Sequence, residues 1–537
     1  MPYPLPLLLT NGLIYTMDEA QPTAAAIAID RATGRIVAVG TAHAVRAELG
    51  MFAAVETVDL HGRVVIPGLI DAHTHLWGTA RETVELDLAG CADAAEAVAR
   101  VAARAATLPP GTWIRGRHWN QQYWPDRQFP TLALLDAAVP DHPVALWAHS
   151  QHVMWVNRLA LARAAIDRAT PDPPGGVIGR DAAGEFTGLL YEMGATDRID
   201  AAWEAQSDPT AEETQAVQRV MQTLASRGLT GAHTLENARS LQALQRLQAR
   251  GALPLRVTMY LRVQQLAAIR AVGLSAGFGD DWLRLAGIKI FADGALGTRT
   301  AAMLQPFEDD ATNLGLLTTS ATEMTTLVTQ ALQGGLGVAI HAIGDRAVQV
   351  ALDAIAAAQQ ISPAGRRVRL EHLQLADPAD ITRMARLGVV GSVQPFHAVA
   401  DRDVADRLWG ARATRAYAYR TLAQHGVRLA LGSDVPIETA DPWRILHAAV
   451  TRRDDATPER APWQPHEAVS LAQALWGYTV GAAWAANDEA RLGHLAPGLL
   501  GDCLILGADP FHLAPAFWPQ LPIDAVLVGG RVISGAL

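Results

Sequence analysis

Cysteine is almost missing from this chain. Cys91 and Cys503 are the only two in 537 residues and lie far apart, which excludes a disulfide framework and points to a reducing, cytoplasmic setting. Long apolar runs are also missing. None approaches the ~20 residues of a membrane-spanning helix, so no membrane partner is expected. The opening stretch, Met1-Pro2-Tyr3-Pro4-Leu5-Pro6, is apolar but broken by proline. It has no basic segment and no small-residue cleavage site, and is not read as a signal peptide. Positive charge is in deficit: 44 Lys and Arg face 54 Asp and Glu, with no basic stripe, so nucleic acid is not an expected partner. What remains is ordinary globular material. Half of the residues are apolar, and the length suffices for a large core and more than one domain.

The stretch richest in chemistry is Asp71-Ala72-His73-Thr74-His75. It follows Val64-Val65-Ile66-Pro67-Gly68-Leu69-Ile70, a short β-branched run that reads as one buried strand. Residues two apart on a strand share a face, so His73 and His75 offer two imidazoles to one point. Imidazole is the commonest nitrogen ligand for a metal, but a lone His-x-His is weak evidence. It gains meaning only if further ligands end later strands.

Apolar runs alternate with helical stretches through the middle of the chain, the pattern of a parallel sheet. With 64–70 as the first, strands are read at 229–233, 255–260, 286–291, 337–341, 368–372, 389–393 and 427–431. These eight predict an α/β fold, a (β/α)8 TIM barrel over residues 67–492. Short strands punctuated by Asn11-Gly12, Thr33-Gly34 and Gly529-Gly530 turns fill residues 1–66 and 493–537. They predict a small β-sandwich built from both termini. Residues from 79 to about 204 are too many for one crossover, and predict an inserted subdomain roofing the pocket at the carboxyl-terminal face. Peripheral decoration is the plainer alternative.

The further ligands are there. His341 ends the fifth strand, His372 the sixth and Asp434 the eighth, while Lys289 sits inside the fourth between Ile288 and Ile290. A barrel converges its functional side chains at these strand ends. Four histidines and an aspartate suit Zn²⁺ or a similar ion. A lysine within an apolar strand is costly without a partner. Either it pairs with Asp293 or Glu371, or CO₂ converts it to an N6-carboxylated lysine able to bridge two metals. Burial favours the second by lowering the amine's pKa.

At this point the chain resembles the metal-dependent amidohydrolases. Pro67-Gly68-Leu69-Ile70-Asp71-Ala72-His73-Thr74-His75 is similar to that family's first-strand motif. Gly287-Ile288-Lys289-Ile290-Phe291-Ala292-Asp293-Gly294, His341-Ala342-Ile343-Gly344-Asp345-Arg346 and Ser392-Val393-Gln394-Pro395-Phe396-His397 resemble its amidohydrolase family 3 branch, as does Gly432-Ser433-Asp434-Val435-Pro436. That branch includes N-substituted formamide deformylases. The resemblance implies a binuclear centre of two divalent ions, zinc being the expected metal. His73, His75 and Asp434 would hold one ion, His341 and His372 the other, and carboxylated Lys289 would bridge them. It implies hydrolysis of a non-peptide C–N bond by a metal-bound hydroxide, with Asp434 as general base and acid and His341 among the groups polarising the carbonyl. Glu371 and Asp345 are candidates for orienting the ligands.

Substrate is harder to read. Trp77 follows the first ligand pair, and the insert adds Trp113, Trp119, Trp124, Trp147 and Trp155 near His152 and Asn157. Aromatic walls favour an apolar or aromatic amide, although tryptophans in an insert are more often core. Asp293, Arg299, His397 and Asp401 lie in loops after strands and are candidate substrate contacts with Trp77 and His152. His233, ending the second strand, either lines the mouth or packs there. Ester or lactone hydrolysis and mononuclear deamination of a heterocycle are the rival reactions. Homo-oligomerisation is common in this family.

Overall fold

The computed structural model describes residues 4–149, 153–173, 176–206, 209–362 and 366–537. Eight parallel strands form the central sheet: Leu69–Thr74, Leu229–Glu236, Arg256–Arg262, Leu283–Phe291, Gly337–Ala342, Val368–His372, Val390–Val393 and Leu429–Leu431. They pair in sequence order, as a (β/α)8 barrel requires. Closure between the last strand and the first is made just beyond Leu431. The Asp434 amide donates to the His73 carbonyl at 2.8 Å and the His75 amide to the Val435 carbonyl at 2.9 Å.

The helices between strands follow from local chemistry. Asp345–Ile361 buries Val348, Ala351, Leu352, Ile355 and Ala358, the stripe of a 3.6-residue period. Pro378–Leu387 begins where the Asp377 carboxylate accepts from the Ala379 amide, with proline in the first turn. It stops at Gly388, whose φ of 65° is the left-handed cap that glycine adopts without penalty.

The run at 64–70 is not one strand. Val64–Pro67 pairs antiparallel with Cys503–Leu506 in a separate sheet, and the barrel strand starts at Leu69. Gly68 is the switch: a Cβ there would lie 2.1 Å from Thr230 Oγ1. Apolar residues on both sides conceal the break, because both strands are buried.

That separate sheet joins both ends of the chain. Its order is Arg531–Gly535, Ile523–Val528, Cys503–Leu506, Val64–Pro67, Leu7–Tyr15, Thr23–Asp30 and Arg35–Gly40, with Glu56–Asp59 also pairing to Leu7–Tyr15. It is one continuous hydrogen-bonded sheet with an apolar core on each face. Leu7, Leu9, Ile27, Ile29 and Ile505 pack on one side. Leu8, Ala26, Ala28 and Val45 of helix Ala42–Glu48 pack on the other, by the two-residue alternation of a strand. Asn11-Gly12 is not a turn but an irregularity inside Leu7–Tyr15, with Asn11 at φ 57°.

Residues 80–216 form a compact unit of their own. Its six-stranded sheet runs Val177–Arg180, Phe186–Tyr191, Val153–Val156, Val144–Ala148, Ile114–Trp119 and Leu86–Asp87. Trp119 stacks on Trp124 at 6.0 Å and meets Trp155 edge-on at 6.2 Å. Their indole N–H groups donate to the carbonyls of Leu146, Cys91 and Thr131. Those three tryptophans are core, with no face left over as a pocket wall. A charged knot completes the unit: buried Glu85 pairs with Arg81, Arg115 and Arg117, and the Trp203 ring lies beneath the guanidinium groups of Arg81 and Arg115 at 4.7 and 4.8 Å.

Candidate metal centre

Five imidazoles and one carboxylate converge at the carboxyl ends of the barrel strands. Ring centroids separate His73 from His75 by 5.3 Å and from His372 by 4.9 Å. His341 lies 4.6 Å and His397 6.0 Å from His372. Asp434 divides its oxygens among them. Oδ1 is 3.4 Å from His73 Nε2 and 3.2 Å from His75 Nε2, while Oδ2 is 3.6 Å from His397 Nε2 and 3.9 Å from His372 Nδ1. Two groups able to hold an ion thus share this carboxylate: His73, His75 and Asp434, and His372, His397 and Asp434.

Three of the histidines are oriented by a protein oxygen on one ring nitrogen. His73 Nδ1 meets Glu371 Oε2 at 2.5 Å, His341 Nε2 meets the Gly294 carbonyl at 2.9 Å, and His372 Nδ1 meets Gln394 Oε1 at 2.9 Å. A carboxylate or carbonyl in that position takes the ring N–H and leaves the other nitrogen as a bare lone pair, the state a metal requires. On His73 that other atom, Nε2, is buried without a hydrogen-bond partner. Burial, and next Lys289, depress the pKa of His73 to about 4 and that of His341 to about 3, so both rings are neutral. Neutral imidazoles with one fixed nitrogen fit a divalent ion well.

The carboxylates are held ionised by their surroundings. Burial pushes Asp434 up, but its contact with His75 Nε2 at 3.2 Å holds it well below the usual carboxylate range. Burial likewise opposes ionisation of Glu371, and Arg369 and His73 outweigh it. Arg369 also donates to His233 Nδ1 at 2.9 Å, so His233 packs under the centre as an acceptor. The backbone is strained at two of these residues: His372 has φ 75° and Asp434 φ 62°, positive values uncommon for residues with a Cβ.

Asp71, read only as part of a motif, locks the first strand to the eighth. Its Oδ1 accepts the amides of His73 and Ser433, both at 3.0 Å, and burial raises its pKa to about 6. Gly432 permits this approach, since a Cβ there would lie 2.5 Å from the His73 amide nitrogen.

Lys289 is 1% exposed, with Nζ 5.1 Å from the Phe291 ring centroid, and burial lowers its pKa to about 8. Among the described residues it makes no ion pair with Asp293 or Glu371 within 4.0 Å. Asp293 has other work: its oxygens accept the amides of Ala302, Ile343 and Gly344 at 2.9 to 3.0 Å. Asp345 accepts from the Leu304 amide and pairs with Arg415, away from the ligands. Arg299 is half-exposed and pairs with Asp309 at 2.7 Å. Trp77 is buried, with the Arg239 guanidinium 5.5 Å from its ring. His152 lies outside the described residues.

A parallel eight-stranded barrel whose strand ends gather five imidazoles around one aspartate is the architecture of a metal-dependent hydrolase. Residues 56–534 match the model of the amidohydrolase family, and the chain belongs to that family. It is 33% identical to Protein LONG AFTER FAR-RED 3 of Arabidopsis thaliana, over 98% of this chain and 91% of that one. It is 30% identical to the N-substituted formamide deformylase of Arthrobacter pascens, over 98% and 97%. The crystal structure of an uncharacterized metal-dependent hydrolase from Pyrococcus horikoshii OT3 superposes with a TM-score of 0.79 at 28% identity, covering 95% of this chain and 99% of that one.

Proposed function

We propose that this amidohydrolase cleaves the C–N bond of a small N-substituted formamide or related N-acyl amine. The observation that carries the reading is the convergence of His73, His75, His341 and His372 on one point, with Asp434 Oδ1 facing His73 and His75. His73 and His75 would hold one ion with Asp434, and His341 and His372 the other, with Lys289, carboxylated on Nζ, as the bridge. The nitrogen-rich donor set favours zinc. An ion bound there polarises a carbonyl and brings the pKa of a bound water toward neutrality. Asp434, ionised and beside His73 and His75, takes the proton of the attacking water and delivers it to the departing nitrogen. Glu371 keeps His73 in the tautomer that presents Nε2.

The relative named N-substituted formamide deformylase supports an amide substrate. Phe291, 5.2 Å from the His341 ring, supports an apolar or aromatic substituent. Two buried cysteines without a disulfide suit a cytoplasmic protein.

The test is a chelator-stripped protein, reconstituted with Zn²⁺, Mn²⁺ or Co²⁺ and assayed on N-benzylformamide, aryl amides and the matching esters. Amine release that vanishes on stripping and returns at about two ions per chain is expected. Turnover that survives complete metal removal, or is confined to esters, would overturn the amide reading. One ion per chain with ammonia released from a heterocycle would make the protein a deaminase.

A further inference from the structure

We infer that His397 acts on the substrate itself, as an N–H donor to the carbonyl oxygen under attack, and is not a metal ligand. This deepens the amide-hydrolase reading above and rests on it. His397 lies on the helix Pro395–Ala400 that follows the seventh barrel strand, Val390–Val393. It is 6% exposed, and its Nε2 is 3.6 Å from Asp434 Oδ2, so it belongs to the same cluster as the ligands. Proximity alone would make it one more of them.

The second nitrogen separates His397 from three of the four histidines assigned to the ions, and the fourth, His75, has a side chain 27% exposed where that of His397 is 7% exposed. A ligating histidine nearly always gives its other ring N–H to a protein oxygen, which fixes the ring and its tautomer. His73, His341 and His372 each have that oxygen, from Glu371, Gly294 and Gln394. His397 has none: both Nδ1 and Nε2 are buried without a hydrogen-bond partner. Its ring is held by packing instead, lying 17° from parallel to His372 with centroids 6.0 Å apart. An imidazole carries at least one N–H in either tautomer and in its protonated form. Buried polar groups are ordinarily hydrogen-bonded, and an unmet one beside a reactive carboxylate awaits a ligand atom.

The carbonyl oxygen of an amide is an acceptor of that kind. As the water oxygen bonds to the carbonyl carbon, the C=O π pair moves onto oxygen and the bond to His397 N–H strengthens. When the pair returns, the C–N bond breaks and the amine nitrogen takes the proton held by Asp434. His397 keeps its own proton throughout. Its neighbour Asp434 does the proton transfer, so the two residues share one face of the substrate without duplicating a role.

Purified His397→Ala and His397→Gln proteins test this against wild type. Metal content by mass spectrometry should remain at the wild-type number of ions per chain in both. For N-benzylformamide, kcat should fall about 10²–10³-fold in His397→Ala with KM within about threefold, as for loss of one oxyanion donor. The glutamine amide, also a donor, should restore part of the loss. Methylphosphonate, a tetrahedral oxyanion, should bind His397→Ala at least tenfold more weakly by calorimetry. Loss of one ion per chain in either variant would make His397 a ligand and overturn the inference. So would unchanged kcat together with unchanged methylphosphonate affinity. If wild type leaves N-benzylformamide intact, the amide reading fails, and calorimetry still decides whether His397 meets an oxyanion.

Discussion

Glu371 Oε2 lies 2.5 Å from His73 Nδ1, although 298 residues separate them. The pair reaches across the barrel from the sixth strand to the first, and Arg369 braces the carboxylate from behind. His73, a candidate ligand, is thereby fixed in tautomer and angle by a buried carboxylate. Glu371→Gln keeps the shape but removes the charge. Metal affinity should fall about 10- to 100-fold, read by competition with a chromogenic chelator, while the folded state persists. Wild-type affinity would show that the Glu371 charge is irrelevant to the centre.

Asp434 is both a ligand of one ion and the proton carrier in the proposed reaction. Asp434→Asn retains an oxygen donor but cannot take a proton. Turnover should drop at least about 10³-fold in protein loaded with metal to the wild-type level, with far-ultraviolet circular dichroism unchanged. A metal-replete variant working at near wild-type rate would remove Asp434 from proton transfer.

Much of this centre was legible in the sequence because its residues end apolar runs, and strand ends are where a parallel barrel gathers side chains. That rule and the two-residue spacing of His73 and His75 single out His73, His75, His341, His372 and Asp434 as candidates, and the fold brings their side chains together. The switch at Gly68 was hidden, since two buried strands in different sheets read as one apolar run. The orienting partners of His341 and His372, the Gly294 carbonyl and Gln394, depend on loop geometry that no spacing reveals. Asp345 looked like a site residue because it neighbours His341 in sequence; it accepts the Leu304 amide and pairs with Arg415 instead, whereas Asp293 holds three backbone amides and still lies 3.5 Å from His341 Nε2. Asp71 was visible as a letter of the motif, but its grip on Ser433 needs the eighth strand in place. The tryptophans of the insert could be weighed only by base expectation, and packing decides for Trp119, Trp124 and Trp155 as core.

Lys289 sits within the fourth strand with no ion pair among the described residues, so its proposed carboxylation is open to a direct chemical test. Lys289→Ala should lose bound metal and activity together. Millimolar acetate or propionate, occupying the vacated space as a carboxylate, should restore part of both. Full activity without added acid would exclude a bridging role.

Glu85 offers a test of the insert that is independent of chemistry at the barrel. Burial opposes its charge, yet Arg81, Arg115 and Arg117 bring its pKa from 4.5 down to about 2. A depressed carboxylate favours the folded state above the unfolded pKa, and the benefit is lost as pH falls through the folded one. The shift corresponds to on the order of 3 kcal/mol at neutral pH. Glu85→Gln should therefore destabilise residues 80–216 by that order, with urea unfolding followed by tryptophan fluorescence, since the Trp203 ring stacks on Arg81 and Arg115. The gap between wild type and variant should be constant from pH 8 to pH 5 and narrow as pH drops from about 4.5 toward 2, because there the carboxylate loses its charge in the unfolded chain first. A gap that does not change with pH would mean that packing, not ionisation, holds the knot together.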